Sequence, residues 1–198
     1  MNVISERSPL ILASTSRYRA ALLGRLGVPF EQDAPGSDET PQPGEPAETL
    51  ARRLAWAKAQ TVAARYPQRW VLGSDQVCVC GGELLGKPGS REQAIAQLQH
   101  LSGNSARFVT AVALLHGATE RVHEAVDLTT VRFRKLGRAE IERYVDAEPA
   151  FDCAGSFKSE GLGIALCAAI ESSDPTGLVG LPLIAVRELL TQAGLELP

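Results

Sequence analysis

An acidic and an amide side chain, Asp75 and Gln76, lie within the apolar run Val71–Cys80. The composition of this run predicts a buried β-strand. A carboxylate placed there destabilises the fold if it is dry and unpaired. The sequence therefore indicates that Asp75 has a partner, binds a metal ion or takes part in a reaction.

Other residues of the chain are of the types that phosphate chemistry uses. They are the hydroxyl residues Ser14 and Ser16, the basic residues Arg19, Lys58, Lys87 and Lys158, and the acids Glu39 and Asp75. Lysine, arginine and Mg²⁺ neutralise a polyphosphate, while a carboxylate activates or positions a water molecule. Together these residues predict a cationic pocket that a divalent metal ion completes.

The residues Ser14–Arg19 and Lys58 could also have purely structural roles. The hydroxyl groups of Ser14–Arg19 lie between a predicted strand and a predicted helix, where they would either cap the helix or bind phosphate. Lys58 lies at the edge of a helical stripe, from which a lysine either extends into water or reaches a substrate. Gly86-Lys87-Pro88 lacks the hydroxyl residue of a P-loop, and a P-loop NTPase is therefore disfavoured.

The elements that must position these residues alternate between strands and helices. Strands are predicted at 9–13, 71–80, 107–116, 121–133 and 162–170, and helices at 20–26, 47–65, 90–103, 138–146 and 182–193. Residues 33–46 are rich in proline and acid and are predicted to be a loop. In the helix at 47–65, the spacing places Leu50, Leu54, Ala57 and Thr61 on the buried stripe. Strand–helix alternation around a hairpin predicts an α/β fold with a mixed sheet.

Composition narrows the class of protein. The chain has 198 residues, a formal net charge of −3 and four cysteines with no C-x-x-C pair. These features predict one globular unit with reduced thiols and no stable binding of nucleic acid. The sequence has neither a membrane-length apolar run nor a signal peptide, so it predicts a cytoplasmic protein without membrane contact.

Six ordered sequence blocks resemble the Maf family of nucleotide pyrophosphatases over nearly the whole chain. The blocks are Leu12–Arg19, Asp38–Thr40, Gly73–Val77, Gly86–Pro88, Ser156–Gly161 and Val179–Leu183. Gln76 and the late motif Lys158-Ser159-Glu160-Gly161 resemble the YceF-like branch, whose members act on 7-methyl-GTP.

The resemblance implies a fold and a set of functional residues. The fold would be that of Maf and inosine triphosphatase proteins, an elongated mixed sheet flanked by helices, with residues 1–198 forming one domain of two lobes around a central cleft. Asp75 would accept a proton, and Glu39 and Asp75 would bind a divalent cation (Mg²⁺, Mn²⁺ or Co²⁺). The triphosphate contacts would be Ser14, Ser16, Arg19, Lys58 and Lys87. Tyr18, Gln76 and Glu160 would set the base preference, and Lys158 would be a further substrate contact.

The chain departs from the family pattern in the first and late loops. Arg17 replaces a proline, Ala20 replaces the second arginine of a pair, and Cys153 replaces a lysine. The implied reaction is hydrolysis of a nucleoside triphosphate to a monophosphate and pyrophosphate, and a homodimer is possible on the resemblance. Two other functions stay open: the same reaction on dTTP, UTP or another modified nucleotide, and a division regulator that senses nucleotides without catalysis.

Overall fold

The computed structural model describes residues 4–119 and 121–197. In these residues the strands are β1 (Leu10–Leu12), β2 (Phe30–Gln32), β3 (Trp70–Cys80), β4 (Glu83–Leu85), β5 (Ser105–His116), β6 (Arg121–Phe133) and β7 (Cys167–Glu171). The helices are α1 (Arg17–Gly24), α2 (Ala47–Ala63), α3 (Arg91–Leu101), α4 (Arg138–Ala147) and α5 (Leu183–Gln192). Short 3₁₀ helices span Ala154–Ser156 and Leu162–Leu166. None of the helices in the described part of the chain is long and apolar enough to cross a membrane.

The strands form one mixed sheet in the order β2-β1-β3-β5-β6-β7, with β4 paired to β3. β1 is parallel to both β2 and β3, whereas β4 is antiparallel to β3 and β7 is antiparallel to β6. The prediction of an α/β fold with a mixed sheet and flanking helices is confirmed.

The chain divides into two compact units. The first unit is Met1–Asp75, Thr110–Asp127 and Asp174–Pro198, and the second is Gln76–Val109 and Leu128–Ser173. The core of the first unit packs β1 and β3 side chains against α5, with Leu10, Leu72 and Leu190 all fully buried. In the second unit Phe157 packs against Phe108 and Phe133 at ring-centroid distances of 6.0 and 5.4 Å. The prediction that residues 1–198 form one domain stays a prediction.

Most predicted elements are present, but the late strand is displaced. Residues 162–166 form a 3₁₀ helix, and the strand begins at Cys167. The apolar residues Leu162 and Ile164 resemble a strand in sequence, yet each is 54% exposed. Gly163 lies so close to Lys158 that a Cβ atom would be 2.4 Å from the Lys158 carbonyl oxygen. The tight turn there replaces the first half of the predicted strand.

The buried face of α2 also differs from the prediction. Ala57 is half-buried and Thr61 is exposed, so their placement on the buried stripe is wrong. The buried residues are Leu50, Ala51, Leu54, Ala55, Lys58, Ala59, Val62 and Ala63. Lys58 therefore lies within the buried face of the helix, and the expectation that it extends into water is wrong.

Candidate active site

The loop before α1 uses its hydroxyl groups for local structure. Ser16 is the N-cap of the helix, and its Oγ accepts a hydrogen bond from the Arg19 amide at 3.4 Å. The Ser14 Oγ accepts one from the Ser16 amide at 3.1 Å. Capping, one of the two interpretations of this segment, is therefore confirmed, and phosphate binding by Ser14 and Ser16 stays a prediction.

A close approach of α2 to β3 brings Lys58 to Asp75. A Cβ atom at Gly73 would lie 2.2 Å from the Ala55 carbonyl oxygen and 2.8 Å from the Ala59 amide. Only glycine allows the strand backbone to lie this near the helix backbone. Lys58 lies on the α2 face that meets β3, and Asp75 follows Gly73 by two positions on the same side of the strand.

Glu39, Lys58 and Asp75 form a charge cluster in the first unit. The Lys58 ammonium lies 2.6 Å from Asp75 Oδ1 and 2.7 Å from Glu39 Oε1. Lys58 and Asp75 are only 4% and 7% exposed, while about half of the Glu39 side chain is exposed. Asp75 thus has the cationic partner that its position in an apolar strand requires.

Burial makes Asp75 a stronger base than a free aspartate. Desolvation raises the pKa of the Asp75 carboxyl, Lys58 and Arg19 act in the opposite direction, and Glu39 adds to the rise. Burial lowers the pKa of the Arg19 guanidinium, and the negative charges of Asp75 and Glu39 offset part of that change. A carboxylate that is both fixed in position and raised in pKa is suited to accept a proton from water.

Gly180 orients Arg19 and is itself contacted by Ser74, and the sequence analysis singled out neither residue. The Gly180 carbonyl oxygen accepts hydrogen bonds from Arg19 Nε and from the Ser74 hydroxyl, each at 3.0 Å. A bond at Nε fixes the plane of the guanidinium fork. Ser74 and Gly180 lie in two of the sequence blocks that resemble the Maf family, Gly73–Val77 and Val179–Leu183. Their position in these blocks is the one sequence signal that could have identified them.

Arg53 anchors the loop that carries Glu39. Its Nε lies 2.7 Å from Glu45 Oε1, and its guanidinium also donates to the Thr40 carbonyl oxygen at 3.1 Å. The prediction that residues 33–46 are a loop is confirmed, since neither helix nor strand occurs among them. The loop is nevertheless held at Thr40 and Glu45, which both follow Glu39, and this anchor restricts a proline-rich segment whose Glu39 side chain contacts Lys58.

The remaining predicted residue of the first unit is Tyr18, and its neighbour Arg17 is one of the departures from the family pattern. The Arg17 Cζ lies 4.9 Å from the centroid of the Tyr18 ring, and its guanidinium donates to the Tyr18 hydroxyl at 2.9 Å. The departure at position 17 therefore places a cation over the aromatic ring of a residue that was predicted to set the base preference.

Four predicted residues belong to the second unit. Gln76 is half-buried in β3, and Lys87 is exposed in the segment between β4 and α3. The Lys158 ammonium donates to the Pro149 carbonyl oxygen at 3.3 Å, and Glu160 is exposed. Their roles in substrate binding stay predictions.

The chemistry of the charge cluster fits a divalent cation. Glu39 Oε1 and Asp75 Oδ1 already converge on one positive centre, the Lys58 ammonium, and carboxylate oxygens are the ligands that Mg²⁺ and Mn²⁺ prefer. In residues 4–119 and 121–197, no group of three or more His, Cys, Asp or Glu side chains could hold a metal ion. Water and phosphate oxygens would have to supply the other ligands, as is usual for Mg²⁺.

Comparison with known proteins identifies the family. The family described as Maf-like protein matches residues 9–193, and this chain belongs to the Maf family. A protein of Xanthomonas axonopodis pv. citri, named 7-methyl-GTP pyrophosphatase, is 59% identical over 96% of this chain and 98% of its own. A Pseudomonas aeruginosa protein of the same name is 52% identical over the same shares. A solved structure of a HAM1 protein from Coxiella burnetii aligns with a TM-score of 0.49 and 14% identity over 93% of this chain and 98% of its own.

Proposed function

We propose that this protein hydrolyses 7-methyl-GTP to 7-methyl-GMP and pyrophosphate. The observation that carries the proposal is the convergence of Glu39 and the buried Asp75 on one cation, beside an Arg19 guanidinium fixed by Gly180. The names of relatives that are 52 and 59% identical support the choice of substrate. Hydrolysis would remove this methylated nucleotide before it enters nucleic acid.

Asp75 is the proton acceptor in this proposal. Lys58 engages its Oδ1, which fixes the carboxylate while the raised pKa favours proton uptake. The water oxygen forms a bond to the α phosphorus, its proton passes to Asp75, and the bond between that phosphorus and the bridging oxygen breaks. Pyrophosphate leaves with the electron pair of that bond.

The cationic side chains balance the charge of the substrate. A divalent ion held by Glu39 and Asp75 would act as a Lewis acid and neutralise phosphate oxygens. Arg19 presents a planar fork that suits phosphate, and Lys58 lies beside the same carboxylates. Ser14, Ser16, Lys87 and Lys158 complete the proposed phosphate contacts.

Base choice in this proposal depends on charge. Methylation at N7 gives guanine a delocalised positive charge and a more acidic N1–H. The exposed Glu160 carboxylate would accept hydrogen bonds from N1–H and the exocyclic amine, with a charge assistance that neutral guanine lacks. Gln76 would contact the base edge, and Tyr18 would stack on the ring from a face that Arg17 does not cover.

A substrate panel tests the proposal. Pyrophosphate release should be fastest with 7-methyl-GTP among 7-methyl-GTP, GTP, dTTP and UTP, and excess EDTA should abolish it. Faster release from dTTP or UTP would assign the protein to the other substrate class of the family. Nucleotide binding without turnover in any arm would favour the regulator.

Three further features belong to the proposal. The protein would act in the cytoplasm, would form no stable complex with nucleic acid, and could assemble as a homodimer. The formal net charge of −3 supports the second feature, because a binding surface for nucleic acid is positively charged.

A further inference from the structure

The end of α4 holds the loop that carries Glu160. The Tyr144 hydroxyl, buried on that helix, accepts a hydrogen bond from the Lys158 amide at 3.1 Å. Glu148, the residue that ends the helix, accepts one through Oε2 from the Gly163 amide at 3.3 Å. Both bonds are made to the backbone, at the two ends of the segment Lys158–Gly163.

The Glu148 carboxylate also packs against the middle of this segment. A Cβ atom at Gly161 would lie 2.1 Å from Glu148 Oε1 and 2.7 Å from Oε2. The backbone of residue 161 and the carboxylate therefore occupy adjoining space, and a side chain at this position would have to displace the Glu148 carboxylate.

Between these anchors the segment is folded on itself. The Gly161 amide donates to the Lys158 carbonyl oxygen at 3.3 Å, and the Lys158 ammonium donates back to Pro149, next to Glu148, at 3.3 Å. Glu160 is exposed at the turn that these bonds close. The Ser159 hydroxyl donates to Glu160 Oε2 at 3.5 Å, and the anchored backbone on either side fixes where this exposed side chain leaves the turn.

We infer that Glu148 is a positioning residue for substrate specificity: it fixes the Lys158–Gly163 turn and thereby the direction in which Glu160 presents its carboxylate. This inference rests on the proposed function, since it takes Glu160 as the group that contacts the methylated base. A carboxylate that contacts only the base edge with N1–H and the exocyclic amine must be held accurately. A displacement of about 1 Å can cost up to about a hundredfold in rate.

Two measurements on three variants test the inference. Glu148→Ala should increase amide hydrogen exchange in residues 158–163 and should lower the ratio of kcat/KM for 7-methyl-GTP over GTP by about tenfold. Glu148→Gln keeps an oxygen that can accept from Gly163 and should retain most of both properties. Glu142→Ala, on the same helix and paired with Arg138, is the control and should change neither.

Other outcomes would overturn the inference in distinguishable ways. Unchanged exchange in Glu148→Ala would show that the carboxylate does not hold the turn. Increased exchange with an unchanged substrate ratio would show that the turn does not direct base choice. A wild-type protein with no preference for 7-methyl-GTP would overturn the proposed function and the inference together. Thermal unfolding of each variant separates these results from loss of the fold.

Discussion

The predicted site residues of the two units are held in different ways. In the first unit, Lys58 and Asp75 are buried and joined by an ion pair of 2.6 Å. In the second unit, Lys87 and Glu160 are exposed, and the turn around Glu160 is fixed through its backbone. Burial fixes a side chain and shifts its pKa, whereas a backbone anchor fixes only the direction of an exposed one. Changes at the buried Lys58 and Asp75 should therefore affect the chemical step, and changes at the exposed Glu160 should affect the choice of substrate.

Asp75→Asn should have the largest effect. The amide keeps the volume of the carboxylate but can neither accept the proton nor carry the negative charge, and loss of a general base costs about 10² to 10⁴ in rate. Pyrophosphate release from 7-methyl-GTP measures this loss. Asp146→Asn, which removes an exposed partner of Arg91, should leave the rate unchanged. A folded Asp75→Asn protein with half of the wild-type activity would show that Asp75 is structural.

Lys58→Gln should have the second largest effect on activity. We expect a loss of about a hundredfold in kcat/KM, the size seen when a charged or polar donor is removed from a reacting centre. It should also move the acid limb of the pH profile. Lys58 lowers the pKa of Asp75, so removing its charge should raise that pKa and shift the acid limb to higher pH. Lys135→Gln, an exposed lysine, is the control. An unmoved acid limb would contradict the pairing as the origin of the pH dependence.

The raised pKa of Asp75 also makes the free energy of unfolding depend on pH. The pKa of Asp75 in the folded protein lies above its ordinary value of 3.8, so the folded chain binds this proton more tightly than the unfolded chain does. The contribution of Asp75 to the free energy of unfolding is therefore present below pH 3.8 and is lost as pH rises through the raised pKa. Comparing the pH dependence of unfolding in wild type and Asp75→Asn isolates this contribution.

Glu160→Gln should have a smaller and selective effect. It should lower kcat/KM for 7-methyl-GTP by about tenfold, because a charge-assisted hydrogen bond becomes a neutral one. Hydrolysis of GTP or UTP should fall much less or rise, and each provides an internal control. Equal losses on methylated and unmethylated substrates would show that Glu160 supports the site without contacting the base.

Arg53→Ala should have the smallest effect. It frees the loop of Glu39 from Glu45 and Thr40, and because an ion pair at the protein surface contributes little, the rate should fall by about fivefold at most. Steady-state kinetics over a range of Mg²⁺ concentrations would measure the loss. The neighbouring Arg52→Ala removes an exposed pair with Glu48 on the same helix and should have no effect. If Arg53→Ala behaved like Arg52→Ala, the contacts of Arg53 with the loop would not determine the position of Glu39.

The sequence predicted the elements that have local signals. Ser90 caps α3 by accepting from the Gln93 amide, as the spacing of these residues indicates. The strands β2 and β4 were not predicted, because Phe30–Gln32 and Glu83–Leu85 contain charged or polar residues, whereas β1, equally short, is a continuous apolar run. They form because they pair with β1 and β3, and pairing is a tertiary property.

The site was predicted as a set of residue types, but its contacts were not. Leu50 and Leu54 were placed correctly on the buried face of α2, but its continuation was placed at Ala57 and Thr61, each one residue before a buried position. The close approach at Gly73 selects the face that contains Lys58. That approach depends on backbone packing between two elements, which hydrophobic periodicity does not describe.

The contact at Gly73 also bears on the order in which the protein folds. Lys58 and Asp75 are 17 positions apart, and α2 and β3 follow each other directly along the chain. Contacts between segments that are near in sequence form early, since little loop entropy is lost in closing them. The helix, the glycine and the ion pair are all translated before β5, β6 and α5. We therefore expect the helix–strand pair that carries Lys58 and Asp75 to dock on the ribosome before the later strands are synthesised.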